Sequence, residues 1–171
     1  GKASLKADPD RYEKLNIFTD ILIIGGGPAG LDKAEEMASS GKKITLVDEN
    51  DVLGGSLPEE SGTIDGRTPS NWLSETLNSL SKHQNIKMLT RTTVYGYFDA
   101  NTLGAFERVA DHKAIPENHE PRQRHLKIFA EQVIIATGST ERPLIFDRND
   151  KPGIMLASAA LKYANRYGVA V

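Results

Sequence analysis

A three-layer α/β fold, with helices on one face of a central parallel sheet and a β-meander on the other, is what the sequence predicts. Three observations carry that prediction. The stretch "DILIIGGGPAG" (20–30) runs from a continuous apolar segment into a knot of glycine, as a strand buried on both faces does when it passes into a helix. "KKITLVDEN" (42–50) reads as a second buried strand one helix length later, closing a βαβ unit of about 30 residues. A further buried strand, "AEQVIIATGS" (130–139), comes only after a stretch of shorter strand-like segments and polar loops.

The elements follow in chain order. Residues 1–18, "GKASLKADPDRYEKLNIF", show no clear period and are expected to form a linker or arm ahead of a domain over 19–171. Pro28 stands where the first turn of a helix tolerates a missing N–H. That helix is expected to run to about Gly41, with Leu31, Ala34, Met37 and Ala38 on its buried side. Asp32, Lys33, Glu35 and Glu36 share the opposite side, and Gly41 supplies the stop. From 50 to 70, glycine, proline and acidic residues predict a long loop. Trp72, Leu73, Leu77 and Leu80 then predict a short amphipathic helix, capped by Ser70 or Asn71. "NIKMLTRTTVYGYFD" (85–99) resumes strand character. "LGAFERVADHK" (103–113) and "RHLKIFAEQ" (124–132) predict antiparallel strands around a polar loop at 111–124. The tail over 158–168 alternates as a helix.

Bulk composition narrows the classes of function. At 171 residues the chain suffices for one domain with a sizeable core, and 39% apolar with 26% charged residues is an ordinary globular balance. A net charge of −2 gives no electrostatic footprint for nucleic acid or an anionic membrane. No apolar run is long enough for a spanning helix, and no secretory leader is evident, so a cytoplasmic location is expected. Cysteine is absent, which removes disulfides, thiolate metal sites and cysteine-based redox chemistry from this chain. His83, His112, His119 and His125 lack metal-ligand spacing and read as solvated; no metal site is expected. No residue set with the pattern of a catalytic nucleophile or general base stands out.

The chemistry-bearing residues cluster around the glycines. Gly25, Gly27 and Gly30 fit G-x-G-x-x-G between a strand and a helix, the context that marks a dinucleotide-binding turn. Gly25 permits the tight turn, Gly27 lets backbone approach a pyrophosphate, and Gly30 lets helix and strand pack closely. Gly30 is followed by Leu31-Asp32, so the Lys-Ser/Thr of a nucleoside-triphosphate loop is missing. Asp48 and Glu49 close the second strand about 20 residues later, where an acid takes ribose hydroxyls and repels a 2′-phosphate. Asp48 has the first claim and Glu49 follows; one of the two is a plain solvated acid. "DVLGGSL" (51–57) brings Gly55 and Ser56 close behind, although taken alone it is equally a turn. Thr137 and Gly138, in "VIIATGSTERP" (133–143), would let backbone close over the same ligand from another side; Arg142 is expected to be structural. Together these features define a FAD/NAD(P)-binding Rossmann-like domain.

Glycine turn, acid, Gly-Gly and Ala-Thr-Gly together resemble the two-dinucleotide-binding-domain flavoproteins to which glutathione reductase belongs. The redox cysteine pair of its disulfide reductases is replaced here by Ser56-Leu57. Downstream, "STERPLIFDRNDKPGIMLASAALKYANRYGV" (139–169) resembles the alpha subunit of heterotetrameric sarcosine oxidase, through Glu-Arg-Pro, Asn-Asp-x-Pro-Gly-x-Met-Leu-Ala and Asn-Arg-Tyr-Gly. "YEKLN" and "TRTTVYGYFD" are similar too. The resemblance implies a complex that demethylates sarcosine oxidatively to glycine, passes electrons to oxygen, and uses tetrahydrofolate as one-carbon acceptor. It implies FAD and FMN elsewhere in that complex, NAD in this domain, and beta, gamma and delta subunits as partners. The NAD phosphates would lie against Gly25, Gly27, Pro28, Ala29 and Gly30, and its ribose against Asp48 and Glu49. Asn50, Gly55, Ser56 and Val94 would line the adenosine end, near Thr137 and Gly138. Since that family's alpha chain is several times longer, this chain is expected to be a fragment, inactive by itself. Two other readings stand beside this one: a FAD-binding subunit of a related amine or opine dehydrogenase, and a non-catalytic scaffold module.

Overall fold

The computed structural model describes residues 7–170. Residues 1–6 of the expected arm lie outside them. Six strands form one sheet in the order β3-β2-β1-β6-β5-β4, with β1 at Tyr12–Ile24, β2 at Ile44–Val47, β3 at Ile86–Leu89, β4 at Thr92–Phe98, β5 at Thr102–Glu107 and β6 at Gln123–Ile135. The β3-β2-β1-β6 half is parallel, and β6-β5-β4 is an antiparallel meander.

Two apolar clusters, one on each face, explain the layering. Alternation along β1 sends Ile21 and Ile23 to one face and Leu22 to the other. On the first face they meet Leu31 and Ala34 of α1 (Pro28–Met37) and Trp72 and Leu80 of α2 (Pro69–Leu80). On the second face Leu22 and Val47 pack against Leu103, Ala105, Leu126 and Ile128 of the meander. The sheet therefore curls until its antiparallel half covers its parallel half. The α/β fold with helices on one side and a meander on the other is the one read from the sequence.

Local differences have physical causes. The arm expected over 1–18 is strand from Tyr12 onward, paired in parallel register with β6 from Tyr12↔Gln123 to Ile24↔Ile135. Ion pairs hold that extension. Arg122 bonds both carboxylate oxygens of Asp10 at 2.9 and 3.0 Å, and Arg124 joins Glu13 at 3.0 Å to Glu107 at 2.7 Å. A partner more than 100 residues away leaves no local period, so the segment read as a linker. Likewise the two strands expected at 124–132 and 130–139 are one, β6. The strand character read over 85–99 resolves into two strands, broken where Arg91 takes a φ of 52°.

The first helix ends as expected, through a short 3-10 turn (Ala38–Ser40) into Gly41 at φ 74°. The cap of α2 is Thr68, not Ser70 or Asn71: Pro69 occupies the first helical position, and Thr68 Oγ1 accepts the Asn71 N–H at 3.3 Å. The tail helix is short, α3 at Ala157–Leu161, and continues as a π-helical turn at Lys162–Arg166. It returns to the loop after β2, where Asn165 Nδ2 donates to the Glu59 carbonyl at 2.6 Å and Lys162 pairs with the Glu59 carboxylate at 3.3 Å.

Candidate functional site

The C-terminal ends of the parallel strands face a cleft of about 770 Å³. This is where an open parallel sheet presents a ligand site, because loops diverge there and helix N-termini point in. Three backbone segments meet at its floor. Gly25 leaves β1 at φ 108°, and a Cβ there would lie 2.2 Å from the Ala136 carbonyl oxygen, so only glycine fits between β1 and β6. Gly26 donates its N–H to Asp48 Oδ2 at 2.6 Å and accepts the Gly54 N–H at 2.8 Å. Gly27 has an ordinary φ of −75°, and an added Cβ would meet nothing nearer than the Gly55 Cα at 3.9 Å. Gly27 lines the cleft, so the missing side chain leaves room beside the start of α1.

The N-terminus of α1 is uncapped by any side chain, and its first position is Pro28. Its first-turn N–H groups have no intrahelical acceptors and aim, with the positive end of the helix dipole, at the cleft. The hydroxyl-bearing residues Ser56, Thr92, Thr93, Thr137, Ser139 and Thr140 line the cleft wall. No lysine or arginine lines it, while Asp48 and Glu49 stand together at one end. The cleft therefore suits a ligand with a phosphate near α1 and vicinal hydroxyls near the acids. A 2′-phosphate at that end would meet two carboxylates and no lining cation. This chemistry fits a dinucleotide.

Of the sequence-derived site residues, Gly25, Gly27, Pro28, Ala29, Asp48, Glu49, Asn50, Gly55, Ser56, Val94, Thr137 and Gly138 all line this cleft. Gly30 does not. It is buried behind the turn, where a Cβ would stand 1.9 Å from the Gly25 carbonyl oxygen, so it serves the close packing of helix on strand. Asp48 is buried, and its carboxylate is already engaged: Oδ2 takes Gly26 N–H, and Oδ1 takes the backbone N–H and side-chain amide of Asn50 at 2.8 and 2.9 Å. A carboxylate offers about four lone-pair sites, so one remains. Glu49 is exposed, and its peptide carbonyl accepts from Arg108 at 2.6 Å.

Sequence reasoning missed Ile24, Val47, Thr92, Thr93, Ala136, Ser139 and Thr140 in the wall. Each is next to, or one residue further from, a residue that was named, so the signal was adjacency rather than a motif. Trp72 is core, as the sequence indicates, whereas Arg142, expected to be structural, is exposed and apart from the cleft. His125 is not simply solvated: it lies on β6, and its Nε2 and the Tyr95 hydroxyl are hydrogen-bonded at 2.5 Å. Among the described residues no helix is long and apolar enough to cross a membrane.

Comparison with known proteins agrees with this geometry. The chain is 45% identical over 99% of its length to sarcosine oxidase subunit alpha of Rhizobium meliloti (strain 1021). It is 43% identical over 95% of its length to that of Corynebacterium sp. (strain P-1). It spans 17% of the length of each of these relatives. Among solved structures, L-proline dehydrogenase from P. horikoshii superposes on 97% of the chain with a TM-score of 0.71. At 24% identity and 31% of that protein's chain, this likeness concerns the fold. The family model described as pyridine nucleotide-disulphide oxidoreductase matches residues 19–165. That span holds the glycine turn, the acids after β2 and the Ala-Thr-Gly that follows β6, and the chain belongs to the pyridine nucleotide-disulphide oxidoreductase family.

Proposed function

We propose that the cleft holds NAD, and that the domain is the NAD-holding part of the alpha subunit of a multi-subunit, sarcosine-oxidising flavoenzyme. The observation that carries the NAD reading is the pairing, in one cleft, of an uncapped helix N-terminus with two carboxylates, Asp48 and Glu49, and no lysine or arginine in the lining. The wider reading rests on the likeness to sarcosine oxidase alpha subunits along almost the whole chain. In it the complex demethylates sarcosine with oxygen, carries FAD and FMN, and hands the one-carbon unit to tetrahydrofolate. Beta, gamma and delta subunits are the partners, and the location is cytoplasmic.

When bound, a nicotinamide dinucleotide supplies hydride chemistry at its ring. The residues of this chain bind and orient it. First-turn N–H groups of α1 receive the pyrophosphate, and the missing Cβ of Gly27 lets it come close. The Glu49 carboxylate and the remaining lone pair of Asp48 accept the adenosine ribose hydroxyls, while Val94 packs on the adenine side. Asn50, Gly55 and Ser56 close the adenosine end, with Thr137 and Gly138 beside it. With no cysteine in the chain, disulfide exchange is not carried by these residues.

Denaturing the purified protein and identifying the released nucleotide by absorbance and chromatography tests this. Release of NAD is expected. Released FAD would reassign the cleft to a flavin, as in a related amine or opine dehydrogenase, and no nucleotide would favour a scaffold role.

A further inference from the structure

Two stretches of the cleft wall are fastened to one short helix that does not itself line the cleft. Gly55 and Ser56 line the cleft beside Gly27, and Ala136 to Thr140 line it beside Gly25. The first stretch runs on into a 3-10 turn at Leu57–Glu59, where the Glu59 N–H donates to the Ser56 carbonyl at 2.8 Å. The second runs on into Glu141. These two glutamates, both outside the lining, hold the two ends of the tail helix.

At the start of α3, the Glu141 carboxylate accepts the N–H groups of Ala157 at 3.2 Å and Ser158 at 2.9 Å. At the far end, three side chains of the π-helical turn converge on Glu59. Asn165 Nδ2 donates to its carbonyl at 2.6 Å, and Lys162 and Arg166 reach its carboxylate at 3.3 and 3.9 Å. Helix and turn run without a break from Ala157 to Arg166, and neither buries a residue. The stretch between Glu141 and α3 is exposed at all but two positions, Asn149 and Leu156. A helical segment this short is marginal in water by itself, and with nothing buried it gains no position from core packing. Its contacts at the two ends set where it lies, and through it they relate one stretch of wall to the other.

We propose that α3 and its π-helical turn form a strut between these two stretches of wall, with Glu59 and Glu141 as its positioning residues, and that the strut slows release of the ligand held at the glycine turn. The wall stretches it joins flank Gly25 and Gly27, so it acts at the end of the cleft where α1 begins. Its effect on release rests on the NAD reading of the cleft; its effect on the wall does not. Glu59 and Glu141 act through the loops they hold and not by touching the ligand.

Amide exchange and NAD release, measured in the native protein that contains this chain, test the strut from both ends. The amides of Leu57 and Glu59 are hydrogen-bonded to Gly54 and Ser56, so their exchange reports on the first stretch of wall. Glu141→Ala removes the anchor of the other stretch and is expected to quicken exchange at Leu57 and Glu59 about fivefold, the worth of one hydrogen bond. Faster exchange confined to 157–161 would show a purely local anchor and overturns the proposal. The double variant Lys162→Met with Asn165→Ala frees the Glu59 end. In it and in Glu141→Ala, bound NAD is expected to exchange with radiolabelled NAD about fivefold faster, with thermal unfolding unchanged because no residue of the strut is buried. An unaltered rate of NAD exchange in both variants overturns the role in retention. If the parent protein retains no NAD, the NAD reading fails, and exchange at Leu57 and Glu59 decides the strut by itself.

Discussion

Asp48 shows how one residue carries two demands. It is buried at the end of β2 and holds the Gly26 N–H at 2.6 Å, so it braces the glycine turn as well as facing the cleft. Replacing it with alanine strands that buried N–H, and about 1–3 kcal/mol of folding stability is expected to be lost, read by denaturant unfolding. Nucleotide affinity should fall in the same variant. Gly27→Ala separates the two effects. Its φ of −75° suits alanine and its Cβ would meet nothing closer than 3.9 Å, so unfolding should be unchanged. A methyl group in the path of the pyrophosphate should nonetheless abolish NAD retention on gel filtration. Equal loss of stability in both variants would mean that the cleft wall at Gly27 is tighter than its geometry indicates.

At the level of elements, the ends of the helices are the informative places. Thr68 caps α2 through a single 3.3 Å bond, and Thr68→Ala is expected to cost about 1 kcal/mol or less in thermal unfolding. Helix α3 is held differently. The Glu141 carboxylate accepts the N–H groups of Ser158 at 2.9 Å and Ala157 at 3.2 Å. Hydrogen bonds from Ser158, side chain first and then backbone, hold its pKa below the ordinary 4.5, with a smaller contribution from Ala157. A carboxylate with a lowered folded-state pKa contributes fully above its unfolded value. That contribution falls away as pH drops from about 4.5 through the lowered value. Amide exchange over 157–161 should therefore accelerate on acidification across that window. Glu141→Gln should show fast exchange at neutral pH already, and pH-independent exchange protection in the parent chain would disprove the anchoring role.

For the whole molecule, the central strand β1 joins two cores. Leu22 is fully buried against the meander, and Trp72 is buried in the helical layer. Leu22→Ala should cost about 2–5 kcal/mol by denaturant unfolding and loosen the meander first. Amides of β5 would then exchange ahead of those in α2; the reverse order would show that the two layers do not depend on β1 as the contacts indicate. Long-range pairing also explains what was hard to read. β1 meets β6 at twelve paired positions at a separation of more than 100 residues, so neither the strand at Tyr12–Phe18 nor the unbroken length of β6 leaves a local signature.

By itself the sequence determined the βαβ start, the helix stop at Gly41, the α/β layering and twelve of the nineteen residues around the cleft. These depend on short-range physics: a glycine between strand and helix, an acid at the next strand end, an apolar run of strand length. Only the tertiary structure decided how those residues divide their work. It turned Gly30 inward to a contact that no Cβ survives, committed most of the Asp48 carboxylate to the turn, and left Glu49 in the open. It also gathered the phenylalanines of four separate strands onto one face. The reason is that burial, lone-pair occupancy and register are set by partners far away in the chain, which no window of sequence contains.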